Sequence, residues 1–141
     1  MKQFEDFKIG EKIETRARTI TEADIVNFAA FSGDWYPIHV DKEYAKKSVF
    51  GERIAHGFLV LSVTSGLMPL TDWAIIAFYG IDKVRFFQPT KIGDTVRLEI
   101  EVTGKDDKGD IGGVITYRMV VKNQRDEDVC YSIIKIFIGK E

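Results

Sequence analysis

The stretch from Ala55 to Met68 constrains this chain more than any other. Phe58, Leu59, Val60, Leu61, Val63, Leu67 and Met68 fall on more than one face of a helix. A helix of that kind is stable only where other elements cover most of its surface. Pro69 supplies its stop. The apolar run through Leu70 is interrupted by Ser62, Thr64, Ser65 and Gly66, and it is too short to span a bilayer.

The cover has to come from the second half of the chain, where the period changes. Val96, Leu98, Ile100 and Val102 alternate with Thr95, Arg97, Glu99 and Glu101, which gives a strand one buried and one wet face. A charged turn over 105–110 and Gly112-Gly113 lead into a strand over 114–121. A second polar turn over 122–128 precedes the last strand, 131–138. Residues 74–81 and 83–89 supply one or two more strands, with Pro89 and Gly93 as boundaries.

The first half reads as short helices. Thr21 caps a helix that runs to Ser32-Gly33, Asp24 reaches back, and Ile20 and Ile25 occupy the staple positions. Pro37 pushes Tyr36 toward an extended backbone. Asp41 caps a second short helix over 42–48, and Gly51 breaks the chain again. The expected fold is α+β over residues 1–141 as one domain, with a curved antiparallel sheet wrapped around a long central helix.

Twenty Lys and Arg balance twenty-two Asp and Glu, a net charge of -2 that gives no basis for nucleic-acid binding. A single cysteine, Cys130, excludes an intrachain disulfide and a cysteine-built metal site, and its neighbours predict a buried strand position. The charges scattered through the first fourteen residues do not form a signal peptide, so the expected location is cytoplasmic.

Only two histidines are present, His39 and His56. Asp34 and His39 share an irregular, proline-stiffened segment and can face one point, as a general acid/base pair requires. The spacing alone fits a turn-capping Asp34 and a half-buried His39 better. His56 and Gly57 sit where the long helix begins. Unpaired amides there stabilise developing negative charge, and Gly57 has no side chain to shield its N–H from a ligand. Close packing of the helix end explains the glycine equally well, and a structural hydrogen bond is the stronger reading for His56. The two histidines make a poor metal site, and no sequence pattern for a phosphate loop, a dinucleotide or a nucleophilic serine is present. No cofactor is expected.

Taken in order, these segments resemble the MaoC-like dehydratases, which include the (R)-specific enoyl-CoA hydratases. FEDFKIGEKI is similar to the family's opening, TITEADIVNFAAFSGD to its first helix, and GERIAHGFLVLSVTSGL to its central helix. VRFFQPTKIGDTVRLEIEV is similar to its strand-turn-strand, and SGDWYPIHVD to its hydratase signature. The resemblance implies a hotdog fold and a homodimer or higher oligomer with sites near the subunit interface. It also implies hydration of a trans-2-enoyl-CoA to an (R)-3-hydroxyacyl-CoA, and the reverse. Asp34 and His39 fall on the residues that hold and activate water, Gly57 on the amide that polarises the thioester, and Ser62 on an assisting serine. Tyr36 stands where the signature has asparagine, and a phenol cannot reproduce that side chain's paired donor and acceptor. Trp35 and Tyr36 line the acyl pocket or cover the core, while Arg53, Lys83 and Arg85 are candidates for the coenzyme A phosphates. An acyl carrier protein also fits as the thioester carrier. The alternatives are a hotdog thioesterase and a thioester-binding protein without catalysis.

Overall fold

Alternation along the chain builds the sheet. In the computed structural model, which describes residues 1–141, the alternating segment forms β4 (Thr95–Asp107). Its Val96, Leu98, Ile100 and Val102 are buried, and the residues between them are exposed or half-buried. β4 pairs with β5 (Gly112–Lys122), β5 with β6 (Asp128–Gly139), and β6 with β3 (Ile75–Phe86), all antiparallel. The two short strands β1 (Lys12–Glu14) and β2 (Arg18–Thr19) both pair with β4. They are too brief to leave a periodic pattern in the sequence. The order across the sheet is β1-β4-β5-β6-β3, with β2 also on β4.

The two apolar runs before Pro89 form one strand. β3 continues through Gly80 and Asp82, and it accommodates them by shifting register against β6 between Ile75 and Ala77, Phe78 and Gly80, and Ile81 and Lys83. It lies at the edge of the sheet, with Ile76, Phe78, Tyr79 and Ile81 exposed.

The helical half is made of short pieces. α1 (Glu22–Ser32) starts at a capping box in which Thr21 and Asp24 bond each other's backbone amides, and Ile20 and Ile25 beside it are fully buried. α2 (Pro37–Val40) is one turn that begins on its proline, and Asp41 caps α3 (Lys42–Lys46) by accepting from Glu43 and Tyr44.

The expectation of a long central helix wrapped by a curved sheet is not met. α4 spans only Gly57–Leu67, because His56 and Met68 are both extended and Pro69 follows. Leu59, Val60, Val63 and Leu67 join one apolar cluster with Leu98, Ile115, Met119 and Ile136 of the sheet. Leu61 is only half-buried and Phe58 is 76% exposed, so this chain does not cover α4 on every side. The sheet is open, with β3 and β1 at its edges. The fold is hotdog-like α+β, with a sheet and several short helices. No helix is long and apolar enough to cross a membrane.

Candidate active site

The turn after α1 places the first residue of the site. Gly33 takes the left-handed conformation, with φ at 80°, and its N–H bonds the Ala29 carbonyl to end the helix. Ser32 Oγ then accepts the Asp34 N–H at 3.1 Å, and Asp34 Oδ1 accepts the Tyr36 N–H at 3.2 Å. This short network folds the segment back so that α2 can present His39, which is buried. Arg53 holds α2 from outside the cavity: its Nε donates to the His39 carbonyl at 2.7 Å, and its other arm pairs with Glu22 at 2.5 Å.

Each histidine has one ring nitrogen committed to a carbonyl oxygen, which can only accept. His39 Nδ1 lies 2.8 Å from the Ile54 carbonyl, so it carries the proton and leaves the Nε2 lone pair free in the neutral ring. Burial pushes the His39 pKa below its ordinary 6.5. The Ile54 bond opposes this, His56 adds to it, and Asp34 opposes it. His56 Nε2 lies 2.9 Å from the Asp34 carbonyl, so there the proton sits on Nε2. The His56 Nδ1 atom is buried without a hydrogen-bond partner.

The imidazoles of His39 and His56 stack with centroids 3.8 Å apart and planes 26° apart, and the Phe28 ring lies 4.9 Å from His56. Donor atoms from Asp34, His39 and His56 all fall within 4.8 Å of one another. Imidazole binds a metal in the ring plane, and two nearly parallel stacked rings direct their lone pairs side by side, not to a common point. The set therefore suits proton handling better than metal binding.

These three residues line a cavity of about 330 Å³ together with Gly57, Phe58, Leu61, Val84 and Phe86. Gly57 opens α4, where first-turn amides have no acceptor within the helix. A Cβ at Gly57 would meet Phe86 Cζ at 3.0 Å, so the glycine allows the ring to close against the helix end. The site thus combines a carboxylate, a neutral imidazole with a free lone pair, and backbone donors around a mostly apolar space.

The other expected site residues lie elsewhere. Trp35 and Tyr36 are more than half exposed and do not line this cavity; the Tyr36 hydroxyl lies 3.3 Å from that of Tyr44. Ser62 donates to the Phe58 carbonyl one turn back at 2.8 Å. It borders a neighbouring apolar cavity that shares Phe58 and Leu61 with the first. Arg53 is engaged as described above. Arg85 is exposed and bonds the Val84 carbonyl at 2.7 Å, and Lys83 lies over the Tyr131 ring at 5.7 Å. Val84 and Phe86 reach the site only through sheet pairing, which local sequence does not reveal. Cys130 is buried, and burial pushes its thiol up to about 11, far from reactive.

The family model for the MaoC like domain matches residues 5–124. The chain is 41% identical over 128 residues to Protein MaoC of Klebsiella aerogenes, covering 90% of this chain and 34% of that protein, so it spans about a third of that relative's length. It is 41% identical over 101 residues to the (R)-specific enoyl-CoA hydratase of Rhodospirillum rubrum, covering 72% of this chain and 69% of that enzyme. Among solved structures, it is similar to a monoamine oxidase regulatory protein from Archaeoglobus fulgius, with a TM-score of 0.93 and 44% identity over 99% of this chain and 95% of the other. Match and fold agree over most of the sequence, and the chain belongs to the MaoC-like domain family.

Proposed function

We propose that this protein is a hydratase/dehydratase that adds water to the double bond of a trans-2-enoyl-CoA to give an (R)-3-hydroxyacyl-CoA, and catalyses the reverse. The observation that carries this reading is the meeting of Asp34, His39 and the α4 N-terminus at Gly57 around one cavity. The named relative that supports it is the (R)-specific enoyl-CoA hydratase from Rhodospirillum rubrum.

In hydration, a water held between Asp34 and His39 Nε2 gives up a proton to the carboxylate as its oxygen bonds to the β-carbon. The electrons of the double bond move toward the thioester, and the α-carbon takes up a proton from the same pair of residues. The negative charge on the thioester oxygen is met by the Gly57 N–H, a donor worth about 3–4 kcal/mol in comparable sites. The apolar walls Phe58, Leu61, Val84 and Phe86 strengthen that interaction by excluding water. Ser62, on the neighbouring apolar cavity that shares Phe58 and Leu61, is the residue of this set that the reading keeps on the acyl side.

The reading includes a single hotdog-like domain working in the cytoplasm as a homodimer. β3 supports the dimer: it is an edge strand with large apolar side chains in the open, a surface that a second copy would cover.

The test is steady-state turnover of crotonyl-CoA, followed by loss of the enoyl absorbance, in the native protein and in Asp34→Asn. Native hydration that falls by roughly 10²–10⁴-fold in a folded variant supports the reading. Release of free thiol from saturated butyryl-CoA would replace it with a thioesterase. Binding of both thioesters without turnover would replace it with a carrier or sensor.

A further inference from the structure

His56 is a buried titratable side chain within the site that the proposed chemistry leaves unused. It is 2% exposed and touches both members of the acid/base pair in different ways. Its Nε2–H donates to the main-chain carbonyl of Asp34 at 2.9 Å, and its ring stacks on His39 at 3.8 Å. Asp34 belongs to an exposed turn, where a carboxylate would otherwise wander with its backbone. His56, by contrast, is fixed at the junction of the chain with α4 and enclosed beside Phe28.

Its Nδ1 is buried without a hydrogen-bond partner, so the contact to Asp34 is the one hydrogen bond that orients the ring.

We propose that His56 is a positioning residue for the hydration step, fixing the Asp34–His39 separation by tethering the Asp34 main chain and stacking on the His39 ring. Its kinetic consequence rests on the hydratase reading, whereas its effect on His39 does not. The groups facing His39 are the Asp34 carboxylate, the His56 ring, the edge of the Tyr36 ring at 6.5 Å, and the Arg53 guanidinium on its carbonyl. Removing His56 takes away one of the influences that lower the His39 pKa, so the His39 titration moves to higher pH.

Because the chain has only two histidines, ¹⁵N-imidazole NMR reads each one directly. The measurement compares the native protein with His56→Phe, which keeps a stacking ring without the donor, and His56→Gln, which offers an amide donor without the imidazole. In the native spectrum His39 should carry its proton on Nδ1 and His56 on Nε2. In both variants the His39 midpoint should rise. Turnover of crotonyl-CoA should fall in His56→Phe on the order of 10²-fold in kcat, with KM moving less, and His56→Gln should recover part of that loss. Folded variants with an unchanged His39 tautomer, midpoint and kcat would overturn the proposal, as would losses that follow thermal stability alone. A native protein that hydrates no enoyl-CoA would remove the hydratase reading, while the His39 spectrum would still decide whether His56 positions it.

Discussion

Gly57 shows how little room the residues of the site have. A methyl group there would meet the Phe86 ring at 3.0 Å, so Gly57→Ala must move either the ring or the first turn of α4. Because Phe86 is 47% exposed and can yield, the fold should survive, with Tm lowered only slightly. The substitution keeps the backbone N–H, so if that amide meets the thioester oxygen, its displacement should lower kcat for crotonyl-CoA by up to about 10²-fold. His39 sets a different dependence. Its lowered pKa means that the unfolded chain binds a proton more readily than the folded one. Stability should therefore be full above pH 6.5, fall as pH drops from there to the lowered value, and level off below it. Urea titrations across that range, repeated on His39→Gln, would isolate the contribution. The same shift places the acid limb of kcat/KM below pH 6.5, because only the neutral ring has the Nε2 lone pair that holds the water.

Among the elements, α1 was the most readable from sequence, because a capping box is a local device: Thr21 and Asp24 bond each other's backbone whatever surrounds them. Thr21→Ala should destabilise the protein by about 1 kcal/mol, read from a denaturant titration, and leave the site intact. Alternation likewise marked β4, since a half-buried strand writes its geometry into neighbouring residues. α4 is shorter than the apolar run that marks it, because apolar residues continue past the points where the backbone turns extended, and hydrophobicity does not encode that turn. β1 and β2 were invisible because their pairing is decided by β4, not by their own composition. At the site, resemblance singled out Asp34 and His39, which spacing alone did not favour as a pair, and their donor atoms do come within 4.8 Å of one another. The stacking of His56 on His39 was not legible, because it depends on how two separate elements pack.

For the whole molecule, stability rests on the cluster shared by the sheet and α4. Leu98 is fully buried within it, so Leu98→Ala should cost about 2–5 kcal/mol, seen as a lower denaturation midpoint with little change in slope. In the proposed dimer, assembly would rest on the sheet edge at β3. Phe78 is 61% exposed there, and Phe78→Glu should shift a dimer toward monomer by light scattering while the fold signal in circular dichroism persists. The three register shifts along β3 bear on what that edge can become. A regular edge offers the same hydrogen-bonding rhythm to any passing strand and can recruit chain after chain into a fibril. An edge broken at three places is a lock with irregular wards: only a strand with matching interruptions seats against it, and once seated it leaves no like edge exposed for the next.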